Sequence, residues 1–417
     1  MKSTQAGNEL DHLSSAEDIC RRAFANFDPS RVSSPAFVID YRGIEANLKI
    51  LRAVADAADI KILAALKAYS SFATADLFRR YLDGACASGP YEAQLAAEHF
   101  VQSNGEVHTY SAGFKEQGFS AVAAYSQHIV FNSLTQYERF SNHKAIQPDK
   151  HSFGLRFNPE HSEGAVALYD PCRPCSRMGM PISQLKQLDP NTIVGNAPKI
   201  SGLHFHSLCE QGFSALDNTL AAIEKAIPEW LHAVDWLNLG GGHHITVKGY
   251  EREALVARLR KLKQTYNLKL YMEPGEACAI NAGVLICEVQ DIMQNGKNIA
   301  IVDTSATCHM PDVLEMPYTP EIFGARPSGG KPHGDKHEYV LGGPSCLTGD
   351  EIGSYHFDSS LKVGDRLILM DMAIYSIVKT NTFNGIPLPD IVVWDSRTDE
   401  ILHTRCFGYE DFKSRLS

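Results

Sequence analysis

The sequence predicts an α/β fold, namely a (β/α)8 barrel followed by a β-rich C-terminal domain. From residue 60 onward, short apolar runs alternate with stretches of helical periodicity such as Arg252–Tyr266. Strands separated by helices form parallel sheets, and this number of strands favours a closed barrel over an open sheet. The apolar runs are Ile60–Lys67, Gly84–Ser88, Val107–Ser111, His128–Asn132, Phe153–Phe157, Gly202–His206, Trp236–Gly242 and Leu268–Glu273.

Polar or flexible residues end most of these runs. In a (β/α)8 barrel the C-terminal ends of the strands form the rim that carries the active site. Separate chain segments therefore bring chemically useful groups to one face, and this supports both the barrel and a functional site at its mouth. These groups are Lys67, Ser88, Asn132, Arg156, His206, the glycines 240–242 and Glu273.

After about residue 280 the pattern changes to short β-runs joined by turns, without long helices. This predicts a β domain over residues 281–417, a barrel domain over residues 33–280 and an N-terminal extension over residues 1–32. The first strand, Ala36–Asp40, is expected to pair with the C-terminal domain. Residues 317–335 are rich in proline and glycine, which predicts a loop. The β-runs are Ala282–Gln290, Ile299–Asp303, Glu338–Leu341, Arg366–Met370 and Asp390–Trp394.

Composition excludes several classes of protein. A net charge of −10 argues against a general nucleic-acid partner, which requires a basic surface. No apolar run reaches membrane-spanning length and the N-terminus lacks a signal peptide, so we expect no membrane partner and a cytoplasmic location. Cys172 and Cys175 have C-x-x-C spacing, but no second Cys or His pair follows, and no metal is expected.

Three residues at the rim have both a functional and a structural interpretation. At a barrel mouth, loss of hydration would favour the neutral amine of Lys67, which is the form that makes an imine. Taken alone, however, Lys67 is better interpreted as a lysine at a strand end whose side chain reaches solvent. Glu273 could keep a pyridine nitrogen protonated, or its Pro-Gly neighbours could mark a plain turn. His204 and His206 face the same side of a strand, where His206 could stack on a planar cofactor, be a core histidine or form a metal-binding pair with His204, although no carboxylate at a characteristic spacing supports the metal.

Two further motifs are ambiguous when taken singly. Gly240–Gly242 exposes consecutive N–H groups that could bind phosphate, although any tight turn would look similar. Its spacing matches no nucleotide-binding motif. Downstream, Cys346 could donate a proton from a loop and the hydroxyl of Tyr375 could bind phosphate, while both residues could equally be structural.

Taken together and in this order, the motifs resemble those of the fold-type III pyridoxal-phosphate decarboxylases. This group contains the ornithine, arginine and diaminopimelate decarboxylases and is related to alanine racemase. The resemblance runs from about residue 34 to the C-terminus. It is carried by A-L-K, C-A-S, L-R-F-N-P, F-H, L-G-G-G, E-P-G, G-P-S-C-L-T-G-D and Y…T-F-N-G.

The resemblance implies pyridoxal 5′-phosphate as the cofactor, held by Lys67 as a Schiff base. It also implies that His206 stacks on the cofactor ring, that Glu273 pairs with the ring nitrogen and that Arg156 lies near the phenolic oxygen. The implied cofactor-binding residues are Lys67, Arg156, His206, Gly240, Gly241, Gly242, Glu273 and Tyr375.

The resemblance further implies shared active sites. Gly240–Gly242 and Tyr375 would hold the phosphate, and Cys346 would reach in from the other subunit of a homodimer. There its thiol would protonate the carbanion left after carbon dioxide departs. Lys67 and Cys346 are thus the two catalytic residues that this family would require.

Several motifs indicate which subfamily of these decarboxylases the sequence resembles. Glu276 follows E-P-G at the place where ornithine and diaminopimelate decarboxylases have arginine, and Ser176–Gly179 replaces their K-F-G. Residues 303–312 end in H-x-x-D, and S-G-P-Y-E follows an earlier strand. These motifs resemble the carboxynorspermidine/carboxyspermidine decarboxylases, bacterial enzymes of polyamine synthesis. The resemblance implies decarboxylation of a polyamine-tailed amino acid to norspermidine or spermidine.

That substrate would need anionic partners for its protonated amines. The resemblance assigns this role to Glu276 and Asp312, assisted by His309 and Asp350, although Glu276 could instead form a supporting salt bridge.

Two alternative functions remain. A diaminopimelate- or ornithine-type decarboxylase is disfavoured by Glu276, and a non-catalytic pyridoxal-phosphate-binding barrel is disfavoured by the C-terminal β domain with its cysteine loop.

Overall fold

The computed structural model describes residues 10, 13–164, 170–194, 199–328 and 337–417. Contacts divide them into two compact units. The barrel unit comprises residues 47–278 with the described residues before 14, and the sheet unit comprises residues 14–46 and 279–417. Among the described residues there is no helix with the length and apolar character needed to span a bilayer.

Strands and helices are numbered along the chain. The strands are β1 (Ala36–Asp40), β2 (Lys61–Ala65), β3 (Gly84–Ala87), β4 (Glu106–Tyr110), β5 (His128–Phe131), β6 (Ser152–Asn158), β7 (Met180–Pro181), β8 (Ile200–His204), β9 (Trp236–Asn238), β10 (Lys269–Met272), β11 (Gly283–Asn295), β12 (Lys297–Val302), β13 (Ala325–Pro327), β14 (Glu338–Gly342), β15 (Glu351–Phe357), β16 (Arg366–Met370), β17 (Asp390–Asp395) and β18 (Glu400–Arg405). The helices are α1 (Ala16–Ala25), α2 (Tyr41–Ala58), α3 (Ala75–Tyr81), α4 (Pro90–Leu95), α5 (Glu116–Tyr125), α6 (Leu134–Phe140), α7 (Ile182–Leu185), α8 (Pro190–Val194), α9 (Phe213–Ala226), α10 (Pro228–Ala233), α11 (Arg252–Tyr266), α12 (Ala306–His309), α13 (Asp312–Glu315), α14 (Ser376–Lys379) and α15 (Tyr409–Lys413).

The barrel unit is built on a closed sheet of parallel strands in the order β5-β4-β3-β2-β10-β9-β8-β6, with β5 pairing β6 to close the ring. The predicted (β/α)8 barrel is therefore confirmed. Its outer helices follow the apolar period of the sequence: α11 buries Leu255, Leu259 and Leu262, which share one face. Asn267 ends this helix in the left-handed conformation, with φ of 55°.

A tryptophan fills the lower interior of the barrel. Trp236 on β9 is in register with Gly202 on β8, which in turn is in register with Gly154 on β6. A Cβ atom would lie 2.0 Å from the indole at Gly202 and 2.4 Å from it at Gly154. Two strand glycines therefore make room for one large ring, whose Nε1 donates to Ser152 Oγ at 2.9 Å.

The sheet unit contains β1, which pairs antiparallel with β11 and parallel with β17. Because β1 lies within this sheet, residues 33–46 cluster here and not with the barrel to which the sequence assigned them. Helix α1, within the predicted extension, also belongs to this unit, and the Phe24 and Phe27 rings lie 5.6 and 4.9 Å from that of Trp394. Of the predicted loop 317–335, residues 325–327 form β13, and residues 329–335 lie outside the described residues.

Candidate active site

Lys67 lies in the turn that follows β2 at the mouth of the barrel. Gly275 packs against this turn, since a Cβ there would come within 2.9 Å of the Cβ atoms of Ala65 and Ala68. The glycine of E-P-G thus lets the segment carrying Glu273 approach the Lys67 turn. The Lys67 side chain is exposed. The expectation that burial would dehydrate this amine is therefore wrong for the described chain.

Glu273 follows β10, with 15% of its side chain exposed. Nδ2 of Asn238 donates to Oε1 of Glu273 at 2.6 Å, and Nε2 of His204 lies 3.6 Å from Oε2. Burial raises the pKa of this carboxyl, but the nearby His204 and the hydrogen bond from Asn238 lower it by more, to a net value of about 2. Glu273 is therefore a carboxylate at neutral pH.

His204 and His206 have different surroundings although they share one side of the chain. Burial lowers the pKa of His204, and neither of its ring nitrogens has a hydrogen-bond partner among the described residues. The amide of Gly241 donates to Nδ1 of His206 at 2.9 Å. Burial and the charges of Lys67 and Arg156 lower the pKa of His206 well below its usual range. His206 is thus a neutral imidazole of fixed orientation that carries its proton on Nε2.

No side chain fits at Gly240, Gly241 or Gly242. A Cβ at any of the three would lie within 2.4 Å of a backbone carbonyl oxygen, and φ is +69° at Gly240 and +82° at Gly242. The amide of Gly240 donates to Oδ1 of Asn238 at 2.9 Å, and that of Gly241 is used by His206. The expectation of three free donors is therefore wrong for the first two glycines. Gly242 is the remaining candidate for a phosphate contact.

Arg156 on β6 is a buried cation with unsatisfied donors. Its Cζ lies 4.4 Å from the centre of the Tyr110 ring. Nε and Nη2 have no hydrogen-bond partner among the described residues. Burial lowers the pKa of Arg156, partly opposed by Tyr110 and Glu273. An unpaired buried guanidinium is costly, so this arrangement fits an anionic or oxygen-bearing ligand at the mouth.

Asn132, another predicted rim residue, fixes the S-R-x-G loop at the mouth. The hydroxyl of Tyr110 donates to Oδ1 of Asn132 at 2.7 Å, and the amide of Gly179 donates to the same oxygen at 2.7 Å. Nδ2 of Asn132 donates to the carbonyl of Arg177 at 3.0 Å. The role of Asn132 in the structure is therefore to hold this loop beside the ring that lies under Arg156.

These groups fit pyridoxal phosphate in their chemistry. Glu273 offers an ionised carboxylate suited to a protonated ring nitrogen, and Arg156 offers two unpaired N–H groups suited to an oxygen. His206 offers a neutral ring held at one edge, which suits stacking. Lys67 offers an accessible amine suited to an aldehyde. Of these groups, Arg156 keeps two N–H groups without a partner among the described residues, and the side chain of Lys67 is exposed.

Glu276 lies in a single helical turn just beyond E-P-G, with 10% of its side chain exposed. Nε2 of His244 lies 2.8 Å from Oε2 of Glu276. The carboxylate is therefore largely buried in the barrel unit, and one of its oxygens is engaged. Its other oxygen, Oε1, is the one suited to a further cation.

In the sheet unit, the structure ties the cysteine loop to the T-F-N-G motif. Cys346 is exposed, and its amide donates to Oδ1 of Asn384 at 2.8 Å. Tyr375 has φ of +51° and ψ of −45°, and the amide of Ser376 donates to the carbonyl of Ile374 at 2.5 Å. This is a γ-turn of the strained type, which is uncommon for an aromatic residue and typical of functional positions.

Three predicted substrate-binding residues are engaged within the sheet unit. Asp350 is buried and accepts hydrogen bonds from Ser305 Oγ at 2.9 and 3.0 Å. His309 is fully buried, and its Nε2 lies 3.0 Å from the carbonyl oxygen of Pro387. Burial lowers the pKa of His309 to about 4. Both side chains therefore help to hold the fold of the sheet unit, and their assignment to substrate binding stays a prediction.

Asp312 is also paired. Nζ of Lys379 lies 2.5 Å from Oδ1 of Asp312 and also contacts Glu315. The charge of the Asp312 carboxylate is thus already compensated within the sheet unit. A protonated substrate amine would have to compete with this lysine, and the substrate-binding role of Asp312 stays a prediction.

Comparison with known proteins decides the family. Residues 36–373 match the family model described as pyridoxal-dependent decarboxylase, C-terminal sheet domain. The chain belongs to the pyridoxal-dependent decarboxylases. Its cofactor is accordingly pyridoxal phosphate, in agreement with the groups at the barrel mouth.

Relatives of this decarboxylase are similar over nearly its whole length. A carboxynorspermidine/carboxyspermidine decarboxylase of Campylobacter jejuni is 38% identical over 92% of this chain and 99% of its own. A carboxyaminopropylagmatine decarboxylase of Synechocystis is 41% identical over 93% of this chain and 96% of its own. The crystal structure of the carboxynorspermidine decarboxylase of Campylobacter jejuni, complexed with norspermidine, matches with a TM-score of 0.82 and 37% identity over 92% of this chain and 100% of that one.

Sequence reasoning missed several groups that shape this decarboxylase site. Asn238 links Glu273 to Gly240, and Tyr110 lies under Arg156. Asn238 carries a usable signal, because it is a polar residue inside a buried strand two positions before a glycine run. Tyr110 carries none, since an aromatic residue near a strand end is ordinary.

Proposed function

We propose that the protein decarboxylates carboxynorspermidine and carboxyspermidine, producing norspermidine and spermidine in polyamine biosynthesis. The observation that carries this proposal is Glu276, a largely buried carboxylate just beyond Glu273 where an amino-acid decarboxylase of the ornithine or diaminopimelate type would have an arginine. The full-length similarity to the Campylobacter jejuni enzyme supports the same substrate class.

When bound, pyridoxal phosphate supplies an electron sink for the pair left by the breaking Cα–carboxylate bond. Lys67 would hold the cofactor covalently through its exposed amine. Glu273, an ionised carboxylate, would accept a hydrogen bond from the protonated ring nitrogen. His206, held by the amide of Gly241, would stack on the ring as a neutral imidazole. Arg156 would donate its unpaired N–H groups to the phenolic oxygen.

The phosphate contacts are assigned to Gly242 and Tyr375. The amide of Gly242 can approach an anion closely because no Cβ obstructs it. The strained turn at Tyr375 is the observation that supports a functional hydroxyl there. Both assignments concern positioning, since neither group exchanges a proton with the substrate.

Glu276 binds the polyamine tail in this proposal. The substrate carries an α-amino acid head on a chain of protonated amines, and Oε1 of Glu276 accepts from one of them while His244 keeps Oε2 in place. A charge-assisted hydrogen bond of this kind contributes roughly 1.5–3 kcal/mol. An arginine at this position would repel the same amine.

A second substrate is favoured by one specific comparison. The Synechocystis relative, 41% identical over nearly the full length, is a carboxyaminopropylagmatine decarboxylase. Such a substrate would carry the same carboxyaminopropyl head but end in a guanidinium group. A carboxylate can bind a guanidinium through two parallel hydrogen bonds, which would require Glu276 to release His244.

The proposal includes a homodimer whose subunits complete each other's sites. Cys346 is exposed in a loop where Pro344 and residues 346–349 are exposed as well. An exposed thiol cannot protonate a substrate in a water-filled setting selectively, so a partner surface has to enclose it. We also place the enzyme in the cytoplasm, where its ten free cysteines would remain reduced.

The decisive experiment measures carbon dioxide release from five substrates by the purified, cofactor-loaded enzyme. We expect the highest kcat/KM with carboxynorspermidine or carboxyspermidine, and low turnover of diaminopimelate and ornithine. A higher kcat/KM with carboxyaminopropylagmatine would select the second candidate. A preference for diaminopimelate or ornithine would overturn the proposal.

A further inference from the structure

A second cluster of ligating side chains lies at the opposite end of the barrel from the mouth. Glu106 is the first residue of β4, and His128 is the first residue of β5. His108 follows Glu106 by two positions, so both side chains point to the same side of β4, and His108 is in register with His128. Two imidazoles and one carboxylate therefore meet at the N-terminal ends of neighbouring strands.

The three side chains are close and under-satisfied. Nε2 of His108 lies 3.6 Å from Oε2 of Glu106, and Nε2 of His128 lies 4.0 Å from the same oxygen. One ligand atom from each residue lies within 4.8 Å of the other two. Both ring nitrogens of His108, Nδ1 of His128 and Oε2 of Glu106 have no hydrogen-bond partner among the described residues. His108 is 1% exposed, so bulk solvent does not reach its ring.

We propose that Glu106, His108 and His128 bind one divalent cation of the zinc class, as a structural site distinct from the catalytic mouth. Two imidazole nitrogens and one carboxylate oxygen are a preferred zinc set, with water as a fourth ligand. Zinc–ligand bonds of about 2.05 Å place tetrahedral ligand atoms about 3.3 Å apart. The two nitrogen–oxygen distances, 3.6 and 4.0 Å, are longer than this, so the side chains must draw closer by roughly 0.3 and 0.7 Å. No sequence motif predicts this site, because 20 residues separate the two histidines.

Two local adjustments accompany binding. The imidazole rings are stacked 3.9 Å apart with an angle of 12°, and they must tilt for both ring planes to meet at one ion. Nζ of Lys61 lies 2.5 Å from Oε1 of Glu106 and must withdraw, which its partly exposed position allows. The aromatic rings of Trp236 and Tyr271 lie 5.0 and 5.5 Å from that of His128 and enclose the site. The cluster lies at the end of the barrel opposite the mouth, so the proposed role of the cation is structural.

The test uses the full chain with its cofactor, freed of metal by a chelator and dialysed against zinc chloride. We expect about one zinc bound per chain and a higher thermal midpoint. His108→Gln and His128→Gln should each weaken zinc affinity by at least about 100-fold, since loss of a mere supporting contact already costs 10- to 100-fold. His403→Gln, at an exposed histidine of β18, is the matched control and should bind zinc normally.

Two further variants distinguish this site from zinc binding elsewhere on the chain. Glu106→Gln keeps the volume of the side chain and should lose zinc binding even if a histidine variant folds poorly. Lys61→Gln should bind zinc more tightly, because a competing cation is removed. Absence of zinc binding by the wild-type protein would overturn the proposal, and so would binding that survives both histidine variants and is lost in Cys175→Ser. Visible absorbance of the bound cofactor reports that each variant is folded.

Discussion

Glu273 and Glu276 are three residues apart, yet their neighbours give them different properties. Glu273 accepts from the Asn238 amide and lies beside His204, and the net result is a pKa of about 2. Glu276 is bound to His244 through one oxygen. A carboxylate fixed by neutral donors suits a permanent partner such as a ring nitrogen. A carboxylate that has only one oxygen bound to a protein side chain suits a substrate that binds and dissociates in each catalytic cycle.

This difference predicts that Glu276→Gln raises KM and leaves kcat nearly unchanged. Loss of a bond of roughly 1.5–3 kcal/mol corresponds to a rise in KM of roughly 10- to 150-fold with carboxyspermidine. Steady-state kinetics with the purified enzyme measure both constants. Glu224→Gln, on α9 against Arg258, removes a carboxylate of the same size from an outer helix and should change neither. An unchanged KM together with lost cofactor absorbance would assign Glu276 to cofactor binding instead.

At the scale of elements, the interior of the barrel depends on size complementarity between strands. The indole of Trp236 occupies the space above Gly202 and Gly154, which lie in register on the next two strands. Closed barrels pack their interiors in layers of side chains, so one large ring requires small residues beside it. The two glycines are therefore needed for volume and not for backbone conformation.

Gly202→Ala is accordingly expected to destabilise the barrel. Its methyl group would begin 2.0 Å from the indole, and over-packing of this kind costs about 1–3 kcal/mol. For a unit of this size the thermal midpoint falls by roughly 2–4 °C per kcal/mol. Gly113→Ala, at an exposed position with no atom within 4 Å of the added Cβ, is the control and should leave the midpoint nearly unchanged. Equal midpoints for the two variants would contradict the packing argument. Differential scanning calorimetry makes the comparison.

The sequence predicts the positions of the barrel strands well, but it predicts poorly which polar side chains are available to bind a ligand. A strand buried on both faces is a continuous apolar run bounded by turns, and this local signal located every strand of the barrel. Whether a polar side chain is available depends on contacts from distant segments. Asp350 and Ser305 are 45 residues apart, as are the amide donor Asn132 and the carbonyl of Arg177. The sequence motif around His309 likewise does not show that the carbonyl oxygen of Pro387 lies within hydrogen-bond distance of Nε2.

Short or irregular strands are not predicted by the same apolar pattern. β15 is interrupted by Gly353, whose φ is +152°, and β18 is exposed along its whole length. An exposed strand needs no apolar alternation, because neither of its faces enters a core. Its pairing with β17 is set by backbone hydrogen bonds and not by side-chain pattern.

At the scale of the whole molecule, the two units supply different kinds of chemistry. The barrel unit provides the amine of Lys67, the carboxylate of Glu273 and the guanidinium of Arg156. The sheet unit provides an exposed thiol, Cys346, on a loop whose base is held by the buried Asp350 through the amide of Ser345. A rigid base with an exposed tip is suited to insertion into another surface. This combination supports a site that one chain does not complete.

Subunit mixing tests that inference directly. Lys67→Ala is expected to lose both activity and the visible absorbance of the bound cofactor, and Cys346→Ala is expected to lose most activity while keeping the absorbance. If Cys346 serves the partner's site, mixed dimers contain one site with both residues intact. With equal amounts and random exchange, on the order of a quarter of all sites would regain activity, because half of the dimers would be mixed and one of their two sites would keep both residues. If each thiol serves its own subunit's site, mixing restores nothing, and the shared-site arrangement is refuted. Mixing each variant with a Lys67→Ala/Cys346→Ala double variant, which can form no intact site, gives the baseline.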